Sequence, residues 1–347
     1  MRLAIPRTRA VPGVPEVSAQ LCCPNCRGDL SWSEDGGSCG HCGQRAALLG
    51  EGLYDFLGHG SPDARAILSW PDSFIHQLLS WLPALQKQGS LPPGALAELH
   101  AKEVLDSTSP LAVFGHHLSK LGDDLTYQVL ENHWQGKDDQ LHAFLGELGP
   151  EARVLDVGCG AGHPLRRLGN NGPAERVGLD IDLEGLAFGH RLAALEGQAL
   201  QLVRGTIYAL PFRDASFTHV ICRGVLNYVH QRRALRELTR VLQPGGVLYL
   251  RVERAWYDLM RIGYAQSLRE FVCRHRDLAL GLVHTLTGWQ PEPGGRFRGG
   301  RAVSRGGQVR RRLRQAGCEV FRVEPSSQTT RFLGVPTQTT LFVRKNF

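Results

Sequence analysis

The second half of the chain alternates short apolar runs with longer amphipathic stretches. The runs rich in Val, Leu and Ile predict buried strands at Arg153–Val157, Glu175–Asp180, Leu200–Arg204, Phe217–Cys222 and Gly246–Val252. The gaps between these runs are long enough to hold helices. This alternation predicts a doubly wound α/β domain with a parallel, Rossmann-like sheet covered on both faces.

The alternating pattern is interrupted once and then resumes. Residues 254–305 read as an amphipathic helix followed by a loop rich in glycine and arginine, which predicts an insertion. A helix over 307–316, a strand over 318–324 and a last strand over 339–344 follow. We therefore expect the α/β domain to extend from residue 149 to residue 347.

The first 148 residues divide into three segments of different texture. Residues 1–20 contain proline and show no periodicity, which predicts a flexible tail. Residues 21–60 are rich in cysteine and glycine and predict a small ribbon. Residues 61–148 show helical periodicity broken by Pro92-Pro93-Gly94. We expect this last segment to be a helical linker that covers a substrate.

The composition indicates an ordinary globular protein of 347 residues, 42% hydrophobic and 21% charged. No apolar run is long enough to span a membrane, so membrane insertion is not expected. The arginine-containing N-terminus lacks the apolar core of a signal peptide, and this predicts a cytoplasmic location. In a reducing compartment, nine cysteines favour bound metal or free thiols over disulfides.

The net charge of +7 is concentrated in one stretch of eight arginines between Arg296 and Arg314, with no acidic residue among them. Such a stretch is typical of a solvated face, but it also suits contact with a phosphate backbone or an anionic substrate. Only five lysines accompany 35 arginines, and this bias across the whole chain weakens any local argument from arginine.

Two C-x2-C pairs separated by twelve residues predict a structural zinc site. Each pair supplies two thiolates from one tight turn, and Zn²⁺ prefers four ligands at tetrahedral corners. Gly28 and Gly43 follow the pairs and suit turns whose amide groups point at sulfur. The predicted ligands are Cys23, Cys26, Cys39 and Cys42.

A glycine-rich turn follows the first predicted strand and opens a helix. Its glycines are Gly158, Gly160 and Gly162, whereas a dinucleotide fingerprint needs its third glycine one residue later. Asp156 precedes the turn and would repel a pyrophosphate but attract a cofactor with a cationic end. Asp180 ends the second strand, where a carboxylate can accept hydrogen bonds from both hydroxyls of a ribose.

With these features the chain resembles the class I S-adenosylmethionine-dependent methyltransferases, in particular the type 11 subgroup that includes the ubiquinone/menaquinone-biosynthesis enzymes. The resemblance rests on motifs that occur in the family's order: Val154–Gly162, Gly178–Asp182, Leu210–Phe212, Ser216–Phe217, Arg223–Tyr228 and Arg240–Gly246. It implies S-adenosylmethionine as cofactor, bound by Asp156, Gly158, Cys159, Gly160, Gly162, Asp180, Ile181, Thr206, Ile207 and Arg223.

The chain departs from this family at two positions. Thr206 stands where the family usually has an aspartate that accepts the adenine amino group, and a hydroxyl would accept that bond more weakly. Thr218 replaces the aspartate usual at the start of the fourth strand. We expect the second change to affect structure more than chemistry.

The cysteine ribbon, with an exit at Gly50–Leu57, is similar to that of the bacterial 23S rRNA guanine-N1 methyltransferases, in which the ribbon helps to grip RNA. The match is partial, because Cys42 stands where that family tends to use a later histidine. The residues after the fourth strand also differ, and the C-terminal half does not follow that family.

Methyl transfer is an in-line displacement, which depends mainly on holding the acceptor in line with the methyl group. The candidate catalytic residues are Asn227, Tyr228 and His230, just after the fourth strand. The favoured function is methyl transfer to a small molecule of the quinone or secondary-metabolite kind. The alternatives are an RNA base methyltransferase that grips RNA with the ribbon and Arg296–Arg314, and a non-catalytic binding protein with a vestigial cofactor site.

Overall fold

The computed structural model of the protein describes residues 20–33, 36–58, 62–73, 75–76, 139–169, 172–173, 175–254, 259, 262, 268–290, 306–325 and 331–347. Nearly all of the predicted tail, the centre of the helical segment 61–148 and much of the insertion lie outside these residues. The same holds for Arg296, Arg298, Arg301 and Arg305 of the arginine stretch.

The strands of the described residues, in chain order, are β1 (Leu30–Ser33), β2 (Gly36–Cys39), β3 (Arg45–Gly50), β4 (Leu53–Asp55), β5 (Arg153–Val157), β6 (Glu175–Asp180), β7 (Gln201–Arg204), β8 (Phe217–Arg223), β9 (Leu242–Glu253), β10 (Cys318–Pro325), β11 (Arg331–Phe332), β12 (Val335–Pro336) and β13 (Gln338–Lys345). The helices are α1 (Pro62–Ser69), α2 (Asp139–Gly146), α3 (His163–Arg166), α4 (Leu183–Leu195), α5 (Gln231–Val241), α6 (Leu268–Thr287) and α7 (Gly306–Gln315).

Eleven of these strands form one sheet in the order β1-β2-β3-β4-β7-β6-β5-β8-β9-β13-β10. The strands from β4 to β9 in this order pair in parallel, and their carboxyl ends therefore share one edge. The parallel α/β sheet predicted from the sequence is confirmed. The last two strands differ from the parallel pattern, because β13 pairs antiparallel with both β9 and β10.

The cysteine ribbon continues the sheet of the α/β domain. Its strands β1 to β4 pair antiparallel, and β4 then pairs in parallel with β7, with Tyr54 opposite Val203. All three residues of β4 are buried. The ribbon therefore shares backbone hydrogen bonds and core with the rest of the molecule.

Helices cover both faces of the sheet, as its continuous apolar strands require. One buried cluster joins β5, β8 and β9 to apolar residues of α5 and α7, including Leu238 and Val309. The other joins the opposite face to α2 and α4, where Phe144 packs on Tyr249 and Phe342. Burying one such large side chain contributes about 1.5–3 kcal/mol. Within the described ranges, no helix is both long and apolar enough to cross a bilayer.

Candidate functional site

The predicted glycine turn lies at the carboxyl edge of the sheet, between β5 and α3. Gly158, Gly160 and Gly162 have φ angles of 81°, 52° and 67°, in the left-handed region that favours glycine. At Gly158, a Cβ atom would also meet the Val225 side chain at 2.2 Å. A residue with a side chain would not fit this position unless the turn moved.

Asp180 ties the end of β6 to the glycine turn. Its Oδ2 accepts a hydrogen bond from the Gly160 amide at 2.8 Å, and its Oδ1 accepts one from the Asp182 amide at 3.0 Å. An ionised carboxylate offers about four acceptor positions. Asp180 therefore orders the turn and keeps acceptor capacity for a ligand at the same edge.

Asp156, at the end of β5, is 2% exposed, and its Oδ2 has no hydrogen-bond partner among the described residues. Burial raises the pKa of its carboxyl group to about 6; the positive charge of Arg223 opposes this shift, and the negative charge of Asp180 adds to it. A buried carboxylate without a full set of partners favours the arrival of a cation. This arrangement fits the cationic end of a ligand.

The other predicted cofactor residues surround the turn in different environments. Cys159 is buried within it, and Ile181 is 60% exposed directly after Asp180. The Thr206 hydroxyl accepts a hydrogen bond from the Tyr208 amide at 3.3 Å, and the Ile207 side chain packs into the core. These four residues come from the ends of three neighbouring strands.

The three candidate catalytic residues follow β8 on one loop, but their exposure differs. Asn227 is 2% exposed, and neither its Oδ1 nor its Nδ2 has a partner among the described residues. Tyr228 is 64% exposed, and His230 is the residue before the first turn of α5. Leaving a buried amide unpaired costs about 1–3 kcal/mol. Asn227 is therefore a strong candidate for contact with a ligand.

Two residues near the site were missed by the sequence reasoning. The Tyr208 hydroxyl accepts a hydrogen bond from the His230 amide at 2.8 Å and so connects the loop after β7 to the loop after β8. Gly189, inside α4, lies so close to the turn that a Cβ there would meet the Ala161 carbonyl oxygen at 2.4 Å. A glycine in the middle of an otherwise helical pattern was the available signal for this close approach.

The two positions that depart from the family pattern have structural partners. Besides the contact of Thr206 with Tyr208, the Thr218 hydroxyl accepts a hydrogen bond from the Arg153 amide at 2.8 Å. The Thr218 hydroxyl also lies 3.1 Å from the Arg153 carbonyl oxygen. Thr218 therefore links β5 to β8, in line with the expected structural effect of this change.

The four cysteines of the ribbon form one cluster, with all their sulfur atoms within 4.8 Å of one another. The Sγ atoms of Cys23 and Cys42 are 3.4 Å apart, as are those of Cys26 and Cys39. A tetrahedral zinc site with 2.3 Å bonds needs sulfur atoms about 3.8 Å apart. The donor set and its spacing therefore fit a Zn²⁺ ion with four thiolate ligands.

The turns around the cysteines also fit a metal. A hydrogen bond from the Cys42 amide is the main reason why the pKa of Cys39 falls to about 6. At Cys26 the Gly28 amide acts in the same direction, but burial and hydrogen bonds with the other thiols outweigh it and raise the pKa to about 12. A Cβ at Gly28 would lie 3.4 Å from the Cys26 sulfur and 3.5 Å from the Cys39 sulfur. Glycine at this position leaves room around the thiolates.

The cysteine cluster is fixed to the α/β domain by an ion-pair network that the sequence did not reveal. Arg27, which directly follows the first C-x2-C pair, lies 2.9 Å from Glu237 of α5. The buried Glu237 also accepts hydrogen bonds from Arg240 at 2.7 Å and from the Leu210 amide at 2.9 Å. This network joins the cluster to the loop that carries Thr206.

The site combines a parallel sheet, a glycine turn with left-handed φ angles, and an acidic residue near the carboxyl end of each of β5 and β6. These features are typical of a nucleoside-binding α/β protein. Residues 155–250 match the family described as the methyltransferase domain. The chain belongs to the S-adenosylmethionine-dependent methyltransferases.

The relatives and structures that match are of several kinds. The chain is 33% identical over 147 residues to a ubiquinone/menaquinone biosynthesis C-methyltransferase of Bartonella tribocorum. This match covers 39% of this chain and 56% of that protein. It is 30% identical over 189 residues to the protein of the same name in Laribacter hongkongensis. This match covers 50% of this chain and 74% of that protein. A solved S-adenosylmethionine-dependent methyltransferase of Mesorhizobium loti is 22% identical, with a TM-score of 0.43 over 60% of this chain and 96% of that one.

The chain spans only about half the length of the first curated relatives that it matches. The activity and substrate of the whole protein are therefore taken up as proposals.

Proposed function

We propose that the protein transfers the methyl group of S-adenosylmethionine to a small-molecule acceptor. The observation that carries this proposal is the buried Asp156 carboxylate, with one oxygen unpartnered among the described residues, beneath a turn of three left-handed glycines. A cofactor that combines a ribose with an amine and a sulfonium matches Asp180 and Asp156 in chemistry. The Bartonella and Laribacter relatives are named for ubiquinone and menaquinone biosynthesis, which supports a small-molecule acceptor.

Each predicted cofactor residue has a role in this proposal. Asp156 attracts the cationic end, Asp180 accepts the ribose hydroxyls, and the three glycines let the backbone approach the ligand closely. Arg223 keeps the Asp156 carboxyl more acidic than burial alone would leave it. Cys159, Ile181, Thr206 and Ile207 line the adenosine side of the site.

S-Adenosylmethionine, when bound, supplies a methyl group on a positively charged sulfur. Asp156 and Asp180 would hold the cofactor, and the methyl group would be available to an acceptor by direct displacement from the sulfur. The acceptor loses a proton where it carries one. The chain's own contribution is orientation, which supplies much of the acceleration in such reactions.

Asn227 is the residue best placed to orient the acceptor, because its buried amide has both a donor and an acceptor group available among the described residues. Tyr228 is on the exposed side of the same loop and suits the entrance of the site. His230 is the remaining candidate for proton removal. Together they form the proposed acceptor side of the site.

We assign the four ribbon cysteines to one structural zinc ion. Four thiolate ligands close the coordination shell and leave no position for a substrate. The ion would hold the turns around Cys23 and Cys39 together, and Arg27 would transmit this order to Glu237.

An RNA acceptor is the second candidate, and one observation favours it. Exposed arginines on the adjacent helices α5 and α7 include Arg232, Arg236, Arg311 and Arg314. Arginines on neighbouring helices can follow a phosphate backbone. Binding of RNA through them would weaken steeply with salt, whereas turnover of a small molecule would not.

The deciding experiment is transfer of labelled methyl from S-adenosylmethionine into a host-cell extract, which is then separated into RNA, protein and low-mass fractions. The proposal is supported if the wild-type protein transfers label into the low-mass fraction and the Asp180→Ala variant does not. Label in ribonuclease-sensitive material makes RNA the acceptor. A wild-type protein that fails to bind S-adenosylmethionine would leave only a non-catalytic binding role.

A further inference from the structure

A cavity of about 460 Å³ opens beside the last three strands of the sheet, away from the glycine turn. Its walls come from the carboxyl end of β9, the carboxyl end of β10, the beginning of β13 and the beginning of α7. The lining residues are Val252, Arg254, Gly306, Gly307, Arg310, Val323, Pro325, Thr339 and Leu341.

The cavity lies at the same level of the sheet as the cofactor turn. Leu341 pairs with Leu250 of β9, which pairs with Cys222 of β8, which in turn pairs with Val157, the residue before Gly158. Three strand spacings of about 4.8 Å separate Leu341 on β13 from Val157 on β5, a distance of about 14 Å. A single small molecule can span this distance.

The cavity is also on the face of the sheet that carries the candidate acceptor loop. Val252 and Leu341 belong to the same buried cluster as Leu226, which precedes Asn227. Helix α7 contacts the end of this loop directly, because Arg312 donates a hydrogen bond to Gln231 at 3.1 Å. The cavity and Asn227 thus lie on the same face of the sheet, and α7 connects the cavity wall to the start of α5.

The charged residues that line the cavity, among those that the structure describes, are both basic. They are Arg254 and Arg310. Within the described part of the chain neither guanidinium forms an ion pair, and the Nε of Arg310 is buried without a hydrogen-bond partner. A guanidinium in such a position favours the binding of a carboxylate or phosphate.

The backbone adds to this preference. Helix α7 begins at Gly306 and Gly307 in the cavity wall, and the amide groups of a first helical turn have no partner inside the helix. A Cβ at either glycine would meet no described atom within 4 Å, so neither backbone is crowded by a neighbouring side chain of the described residues. The rest of the wall, from Val252, Val323, Pro325 and Leu341, is apolar.

We propose that this cavity binds the anionic group, a carboxylate or a phosphate, of an otherwise apolar small molecule. We further propose that this molecule is the methyl acceptor, and this second step rests on the proposed function. Its anionic end would contact Arg254 and Arg310, and its reacting atom would lie near Asn227.

The test measures binding of octanoate, octyl phosphate and the neutral octanamide by calorimetry, without S-adenosylmethionine. We expect at least one anion to bind about tenfold or more tightly than octanamide, and the stronger anion identifies the head group. Arg310→Gln and Arg254→Gln should each weaken that anion about tenfold. Arg311→Gln, an exposed neighbour on α7, is the matched control and should leave binding unchanged.

The proposal is overturned if neither anion binds, if octanamide binds as well as the anions, or if Arg311→Gln weakens binding as much as the two cavity variants. Two variants on different segments keep the test valid if one of them fails to fold. Binding of S-adenosylmethionine to the same proteins is measured separately. Failure to bind S-adenosylmethionine would remove the proposed function, while the octanoate and octyl phosphate data still decide whether the cavity recognises anions.

Discussion

The Asp180 carboxylate accepts a hydrogen bond from the Gly160 amide over 2.8 Å and thereby joins the end of β6 to the turn that follows β5. A second bond, from Asp182 to the other oxygen, fixes the orientation of the carboxylate. The residue predicted to hold the ribose is thus already held in place by the turn predicted to hold the rest of the cofactor.

Replacing Asp180 with alanine should weaken S-adenosylmethionine binding at least tenfold. The variant loses the proposed ribose contacts and the bond that orders Gly160, and hydrogen bonds to a charged group contribute about 1.5–3 kcal/mol each. Calorimetric titration with S-adenosylmethionine measures the effect. Glu147→Ala, an exposed carboxylate near the end of α2, should bind like the wild type. Equal affinity in both variants would refute the role of Asp180.

The glycine turn and Asp180 could be predicted because local sequence determines them: a strand must end, the chain must reverse, and only glycine adopts such φ angles easily. Five predicted strands were found for the same reason, with small differences such as the start of β9 at Leu242 in place of Gly246. The antiparallel pairing of β13 depends on contacts with β9, and the apolar pattern of a strand does not specify its direction.

Asp156→Asn should remove a pH dependence from the stability of the cofactor-free protein. Because the pKa of Asp156 is raised from 3.8 to about 6, the folded protein binds more protons than the unfolded chain between these values. The contribution of Asp156 to the free energy of unfolding therefore falls by about 2 kcal/mol as the pH rises from 4 to 7. Chemical denaturation of wild type and variant across this range should show a difference that changes by this amount.

The same variant should change how the cofactor binds. In the wild type, affinity for S-adenosylmethionine should fall as the pH drops below about 6, because protonation removes the negative charge that attracts the cation. The variant should bind more weakly at neutral pH and should not respond to pH in this range. A wild-type affinity that stays constant from pH 7 to pH 5 would contradict the proposed role of Asp156.

Asn227→Leu should separate activity from stability. A leucine of similar size removes a buried amide whose polar atoms lack partners among the described residues, so the melting temperature should stay the same or rise. Methyl transfer into the low-mass fraction should fall at least tenfold, while S-adenosylmethionine affinity is retained. Tyr228→Phe, on the exposed side of the loop, tests whether the loss is specific to Asn227. Full activity of Asn227→Leu would exclude a role in orienting the acceptor.

The ribbon illustrates what could not be predicted. The C-x2-C spacing identifies four cysteines that could share one metal, and the structure brings them together. The same spacing gives no information about Glu237, which lies 210 residues from Arg27 along the chain. The parallel pairing of Tyr54 with Val203 is equally long-range, and the sequence alone therefore suggested a separate module.

Cys39→Ser should remove the bound zinc and lower the melting temperature of the whole protein. The ribbon shares the sheet with the α/β domain through β4, so loss of the ion should destabilise both in one transition. Metal analysis should give about one zinc per chain in the wild type. Cys273→Ser lies outside the cluster and should keep both the metal and the melting temperature. Unchanged zinc content in Cys39→Ser would show that the four cysteines do not form the site.

Gly189→Ala should destabilise the protein although alanine is the better helix former by about 1 kcal/mol. The new Cβ would meet the Ala161 carbonyl oxygen at 2.4 Å, and backbone on both sides must move to relieve this contact. Overpacking of this kind costs about 1–3 kcal/mol of stability. Because Ala161 lies between Gly160 and Gly162, its displacement would also disturb the glycine turn. Denaturant unfolding should show the loss of stability, and calorimetry should show weaker S-adenosylmethionine binding. Gly146→Ala, where a Cβ meets nothing within 4 Å, should match the wild type in both measurements. If both alanine variants behave alike, the close approach of α4 to the turn does not constrain the cofactor site.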